Sequence, residues 1–410
     1  MTTSFSDQER EGAGTTGLQS ARVRRVVPSA SVAVADRART MAREGVGVLS
    51  LAVGEPDFDT PDHVKAAAIE AIHQGRTKYT NVDGTAELKQ AIRDKFRREN
   101  SLEFSDSQII AGNGGKQTLF NCLLATLDAG DEVIIPAPFW VSYMDMTRLA
   151  DGVASIVQCS AQSGYKLTAE SLAEAITPRT RALILNSPTN PTGAVYSSEE
   201  LRAIADVLLP HERIIVISDD IYEHLLMSSD TFANIAMVCP ELSSRTVVVN
   251  GVSKAHAMTG WRVGYAAGPE SIIKGMKKIQ SHTSNHPCSI AQAAATAALD
   301  GPMNAVEEMV AVYRERHTRF LDAVTKIDGL SCAPARGAFY LFPDVSAVLG
   351  PGRLDDDIVF AQALLERFRV AVVPGSAFGS PGHIRLSFAT DTETLLEAAT
   401  RMENFVATLS

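Results

Sequence analysis

Short, wholly apolar runs recur along the middle of the chain: QIIAGN, DEVIIPAP, VASIVQC, RALILNSP, RIIVISDD, RTVVVNG and GYAAG, from about residue 107 onward. Between them lie stretches with apolar residues at helical spacing, such as KQTLFNCLLATL and SEELRAIADVLLP. Strands apolar on both faces and separated by helices predict a mainly parallel sheet of seven strands, covered on both sides. After Pro302 the texture changes. NAVEEMVAVYRERHTRFLDAVTKI reads as one long amphipathic helix, followed by a strand run GAFYLFPDV and a helix around DDIVFAQALLERF. VAVVPG and HIRLSFAT then read as hairpin-like strands, and a final helix begins near Asp391. This is an α+β pattern.

The expected organisation is therefore α/β with a second, smaller α+β domain. Residues 1–20 are polar and small, without an apolar signal core, and read as a disordered lead-in. Residues 21–59 pack with the small domain, 60–300 form the large domain and 301–410 the small C-terminal one. A length of 410 residues suits two domains. The net charge of −10 disfavours nucleic acid or an anionic membrane as the main partner. The five cysteines, Cys122, Cys159, Cys239, Cys288 and Cys332, are scattered and read as free thiols of a reducing compartment. No apolar run reaches membrane-spanning length, so a cytoplasmic protein is expected.

In open α/β sheets, ligands bind beyond the carboxyl ends of the strands. Five predicted ends deliver distinct chemistry: AGNGGKQ, PAPFW, NSPTNP, SDDIYE and NGVSK. Glycine amides opening a helix suit a phosphate. A lysine without a charged neighbour suits Schiff-base formation. An aromatic face suits a flat ring, and a buried carboxylate suits a protonated ring nitrogen. Phosphate, aldehyde and pyridinium together describe pyridoxal 5′-phosphate.

These residues also carry a resemblance. LAVGEPDFDTP, GNGGKQ, PAPFWVSY, NSPTNPTGAVY, SDDIYEHL, SKAHAMTGWRVGY and GHIRLSFAT resemble class I aminotransferases of fold type I, especially the bacterial aspartate aminotransferase I-gamma subgroup. The resemblance spans roughly residues 21–408. It implies that Lys254 forms the Schiff base and shuttles the substrate proton, and that Asp219 pairs with the pyridine nitrogen. It implies that Tyr222 and Asn190 hydrogen-bond the cofactor's phenolic oxygen and that Trp140 stacks on its ring. Gly114, Gly115, Ser253 and Arg262 would cradle the phosphate, with Tyr79 supplied by a neighbouring subunit of a homodimer. Arg385 would clamp the substrate α-carboxylate, helped by Asn190 and the Gly54 backbone. Lys116 and Ser31 would meet the distal carboxylate of an aspartate-like substrate, with Lys116 also near the cofactor.

Each residue has a plainer reading. Lys254 alone could be a surface lysine, Asp219 a helix cap, Trp140 core, Arg385 the partner of an internal carboxylate and Lys116 a solvated helix-start lysine. Asp220 competes with Asp219. GNGGKQT lacks the spacing of a nucleotide P-loop, and no GxGxxG follows any of the predicted strands. His282, His286 and Cys288 have a metal-like spacing but suggest no further ligand, and read as bystanders.

The implied activity is transfer of an amino group from an aspartate-like, aromatic or prephenate-type donor to a 2-oxo acid such as 2-oxoglutarate, through pyridoxamine phosphate. Two alternatives stand beside it: elimination, replacement or cyclisation on the same cofactor, for example with S-adenosylmethionine, and a non-catalytic binding domain. Asn81, Thr85, Met144, His256 and His286 depart from the usual pattern and leave the substrate open.

Overall fold

The computed structural model describes residues 18–28 and 30–409; most of the expected lead-in lies outside the described residues. Every apolar run named above forms a strand. In chain order the strands are β1 (Leu49–Ser50), β2 (Ile109–Gly112), β3 (Glu132–Ala137), β4 (Val153–Gln158), β5 (Thr180–Asn186) and β6 (Ile215–Asp219). They continue with β7 (Thr246–Gly251), β8 (Gly264–Ala267), β9 (Tyr340–Leu341), β10 (Val370–Ala371), β11 (Val373–Pro374) and β12 (Ile384–Ser387).

The seven-stranded sheet runs β2-β8-β7-β6-β5-β3-β4. Only β8 is antiparallel to its neighbours; the other pairs are parallel. Alternate residues of each strand bury on opposite faces, which is why the runs are apolar throughout. Val133 and Ile135 pack with Leu119, Leu123, Ile273 and Met276 from the helices Gly115–Thr126 and Glu270–Ser281. Ile134 packs the other way, with Leu201, Ile204 and Leu208 of the helix Ser198–Leu208. That helix starts on a capping box: Ser197 Oγ accepts from the Glu200 amide at 3.3 Å while Glu200 Oε2 accepts from the Ser197 amide at 2.7 Å. Beside it on that face, the helices Ala86–Asn100 and Ser289–Asp300 cover β2, β7 and β8, with Ile92, Phe96 and Ala294 in one cluster with Tyr265 of β8.

The smaller α+β unit has an antiparallel sheet, β11-β12-β9. The helices Asn304–Thr325, Asp357–Phe368 and Thr392–Ala407 pack over its core of Phe320, Phe339, Phe360, Leu364 and Phe405. The N-terminal segment joins it by a parallel pairing of β1 with β10. The Leu51 amide donates to the Ala371 carbonyl and the Ser387 amide to the Leu51 carbonyl, both at 2.8 Å. Residues 49–54 are thereby laid across the carboxyl ends of the large sheet. None of the described helices is long and apolar enough to cross a membrane.

Candidate active site

A cavity of about 360 Å³ opens where the large sheet's strand ends meet the smaller unit. The helix Gly115–Thr126 contributes Gly115 and Lys116, the loop after β3 contributes Trp140, and β5 and its loop contribute Asn186 and Asn190. Asp219 ends β6, with Tyr222 in the turn beyond it; Ser253, Lys254 and Arg262 lie between β7 and β8. Gly54, Tyr340 and Arg385 close the cavity from the smaller unit.

Lys254 is buried at this junction, and its Nζ donates to the Gly54 carbonyl at 2.5 Å. Burial brings its pKa down to about 8, against the pull of Glu55 and helped by Arg385, Arg262 and Lys116. A lysine surrounded by cations holds its proton loosely, as a nucleophilic amine requires.

Asp219 has the opposite problem: burial pushes its carboxyl up to about 6, although Tyr143 and the Ile221 amide both donate to it. Tyr143 Oη gives its proton to Oδ2 at 2.6 Å. The neighbouring Asp220 points elsewhere, accepting from Ser218 Oγ at 2.7 Å and Asn234 Nδ2 at 2.6 Å. Of the two aspartates, only Asp219 lines the cavity.

Tyr222 Oη lies 2.8 Å from Tyr340 Oη, so the two phenols share one hydrogen bond at the cavity wall, and one hydroxyl proton is left free to donate elsewhere. Arg385 stacks over Tyr340, 4.6 Å from its centroid. It donates from Nη1 to Asn190 Oδ1 at 3.1 Å and from Nη2 to the Ala52 carbonyl at 2.6 Å. Its Nε is buried without a hydrogen-bond partner. No carboxylate of the described residues forms an ion pair with Arg385 or Lys116. Lys116 Nζ sits over the Trp140 ring at 4.9 Å, its pKa lowered by burial and by Arg262.

Gly114 lies just behind this rim. Its φ of +86° favours glycine, and a β-carbon there would collide with the Arg262 guanidinium. Arg262 is itself left-handed, at φ 56°, and donates from Nη1 to the Thr259 carbonyl at 2.8 Å. The two residues hold a guanidinium against the start of the helix Gly115–Thr126, a cation and a set of free amides in one place.

Tyr79 does not line the cavity of its own chain. Tyr79 is 89% exposed and packs edge-on against His286, with centroids 5.7 Å apart. Ser31 falls in the helix Ala30–Arg43, but its side chain lies outside the described residues. The departures from the family pattern also lie off the cavity wall. Thr85 caps the helix Ala86–Asn100, accepting from the Leu88 amide at 3.2 Å. His256 is buried facing His224, their rings 6.4 Å apart, and burial lowers its pKa to about 4. His282, His286 and Cys288 do not converge; among the described residues the one group with metal-ligand proximity is Glu99, Glu223 and His224.

Sequence reasoning gave no role to Tyr143, Tyr340, Asn186 or Arg39, all of which line the cavity. Tyr143 carried a usable signal, three residues after Trp140 on the helix Ser142–Leu149 that follows β3. Tyr340 and Arg39 carried none, because they reach the site from distant segments.

The residues present fit pyridoxal phosphate. A lysine of lowered pKa shares one cavity with a buried carboxylate and with a guanidinium set against a helix start. These features define the class of a pyridoxal-phosphate enzyme of fold type I. The pattern of the family Aminotransferase class I and II matches residues 46–402. The chain is 49% identical to an aspartate/prephenate aminotransferase of Nitrosomonas europaea, over 95% of this chain and 99% of that protein. The crystal structure of an aspartate aminotransferase from Rhizobium meliloti superposes with a TM-score of 0.92 at 47% identity, covering 95% and 98% of the two chains. That of a Thermus thermophilus aspartate aminotransferase with maleate gives 0.89 at 44% identity, covering 94% and 99%. The chain belongs to the class I and II aminotransferases. It is an aminotransferase dependent on pyridoxal 5′-phosphate, acting on amino and 2-oxo acids.

Proposed function

We propose that the amino donor is a dicarboxylic, aspartate-like amino acid or prephenate-derived relative, and that the acceptor is a 2-oxo acid such as 2-oxoglutarate. The observation that carries this is the pair of cations without ion-pair partners at two sides of one cavity: Arg385, with its free Nε, and Lys116 over Trp140. Arg385 would take the α-carboxylate, in a charge-assisted pair that Asn190 and Tyr340 hold in plane. Lys116 would take the distal carboxylate. The maleate that accompanies the Thermus thermophilus enzyme is a dicarboxylate, which supports the same reading.

When bound, the cofactor supplies an aldehyde carbon and an electron-withdrawing ring that make the substrate α-proton acidic. Lys254 would hold the cofactor through Nζ and, once displaced, accept that α-proton at Nζ. Its lowered pKa leaves a useful neutral fraction near pH 8. Asp219 would keep the ring nitrogen protonated, with Tyr143 fixing its carboxylate. Tyr222 and Asn190 would donate to the phenolic oxygen. Arg262, Ser253 and the Gly115 amide would anchor the phosphate; the Gly114 amide, expected to join them, is already spent on the Gly112 carbonyl at 2.8 Å.

Tyr79, exposed and outside its own cavity, supports a homodimer in which it reaches the partner's phosphate. The same reading makes residues 60–300 the cofactor domain and residues 21–59 with 301–410 the small domain, in a cytoplasmic enzyme.

The test is to add single amino acids to the holoenzyme without an oxo acid. Aspartate should convert the cofactor stoichiometrically to its amino form, faster than monocarboxylic donors do. Equal rates with alanine would overturn the dicarboxylate assignment. Release of methylthioadenosine from S-adenosylmethionine without oxo-acid formation would instead favour cyclisation or elimination.

A further inference from the structure

A second group of buried charges lies behind the cavity, and none of the roles above uses it. Lys95, in the helix Ala86–Asn100, is 1% exposed. Its ammonium contacts Glu223, Asn100 Oδ1 at 2.8 Å and Glu99 Oε2 at 3.5 Å. Glu223 Oε2 accepts from Asn100 Nδ2 at 3.0 Å, and its Oε1 also accepts from Asn250 Nδ2 at 2.8 Å. Asn250 Oδ1 in turn accepts from the Gly251 amide at 2.7 Å. Both Glu223 oxygens are thus occupied, and the ammonium sits among two carboxylates and an amide oxygen.

The placement of these groups is informative. Glu223 directly follows Tyr222 in the turn after β6, and the two side chains face opposite ways. Tyr222 lines the cavity, whereas Glu223 turns back to Lys95. Asn250 lies near the end of β7, in the strand that leads to Ser253 and Lys254. One carboxylate at the exit of β6, neutralised by an ammonium on a third element, therefore ties that exit to the end of β7. Those are the segments that bring Tyr222 and Lys254 to the same cavity. Apolar side chains would fill this space without the desolvation cost of an ion pair, but they would not fix one arrangement of the two turns.

We infer that Lys95, Glu223 and Asn250 form a buried clamp that positions Tyr222 relative to Lys254, so that Lys95 and Glu223 are positioning residues for the transamination site. The inference rests on the cofactor roles proposed above for Tyr222 and Lys254. Without Lys95, Glu223 is a buried carboxylate short of its counter-charge and must move or take a proton. Either outcome shifts the turn that carries Tyr222.

The test uses the holoenzymes of wild type, Lys95→Met and the double variant Lys95→Met/Glu223→Met. The double variant carries no unpaired charge and so folds even where the single one does not. Two quantities are read: the pH midpoint of the bound cofactor's visible absorbance, and the rate of cofactor release. Both variants should move the midpoint upward by roughly one pH unit, a tenfold change in proton affinity, and release cofactor faster. A folded double variant with wild-type midpoint and release rate would overturn the clamp, leaving Lys95 a purely structural residue. A wild-type holoenzyme lacking any such band would instead sink the assignment of Lys254, which separates the two failures.

Discussion

The cavity wall and the cluster behind it are both built from buried ionisable side chains, yet they are wired in opposite ways. Behind the wall, Lys95 meets Glu223 and Glu99, Glu99 meets His224, and amides fill the remaining positions. On the wall, Lys254 looks toward Arg385, Arg262 and Lys116, and Arg385 Nε has no partner. Asp219 keeps a buried carboxyl with only a phenol and a long amide contact. The satisfied cluster holds the backbone in one arrangement. The unsatisfied wall stores binding capacity for groups that bring the missing charges: a phosphate, a pyridinium and a substrate carboxylate.

The largest expected effect falls on the wall. Lys254→Ala should lose the cofactor's visible band and cut turnover by roughly 10⁴-fold or more, since a positioned acid–base group contributes about that much. A band that persists in the variant would show that another amine holds the cofactor. In the wild-type apoenzyme, the rate of cofactor capture should climb with pH until about 8 and flatten above it, as Lys254 loses its proton. Stopped-flow absorbance measures this. A profile that keeps rising past pH 10 would mean an ordinary lysine.

The satisfied cluster should respond differently to losing one charge or two. Lys95→Met should lower the unfolding free energy by about 3–5 kcal/mol, because it strands a buried carboxylate. Lys95→Met/Glu223→Met should recover most of that in urea unfolding. Equal losses in both variants would mean that packing, not charge, dominates there.

For Asp219 the sign reverses, because its folded pKa is raised from 3.8 to about 6. The folded apoenzyme binds this proton more tightly than the unfolded chain does. The neutral form's stabilisation is therefore complete below about pH 4 and lost as pH rises through about 6. Asp219→Asn mimics the neutral form. Its apoenzyme should be more stable than wild type at pH 7 by up to about 3 kcal/mol, and no more stable at pH 4. Thermal denaturation at the two pH values decides it; a variant less stable at both would show that the carboxylate is well solvated. Cofactor-dependent turnover should nevertheless fall.

The smallest effect belongs to Tyr143→Phe. It removes one hydrogen bond to Asp219, about 1.5–3 kcal/mol for a bond to a charged group and so roughly tenfold to a hundredfold in kcat/KM. Unchanged kinetics would show that the Ile221 amide suffices to orient the carboxylate.

The large sheet was legible because its strands are apolar on both faces and their ends carry punctuation that local sequence preserves. The same local signals gave Lys254, Asp219, Tyr222 and Arg262, each within a few residues of a strand end. What sequence hid was pairing across distance. β1 and β10 have two residues each and no periodicity to betray them. Tyr340 enters the site only because the antiparallel β9–β12 pairing sets it beside Arg385. Lys95 looked like one more charge on a helix rich in them, and nothing short of the fold places it against Glu223. His256 raised the substrate question as an unusual residue beside Lys254, yet its ring turns away from the cavity toward His224.

The pairing of β1 with β10 also bears on assembly. The carbonyl of Gly54 that receives Lys254, and the carbonyl of Ala52 that receives Arg385, hang from a segment stitched to strands near the other end of the chain. Such a contact closes a very large loop, which is slow to form and of high contact order. On the ribosome, the large sheet can complete itself while the cavity still lacks its roof. Competence to hold cofactor and substrate together is thus a property the chain acquires last, after β12 has emerged.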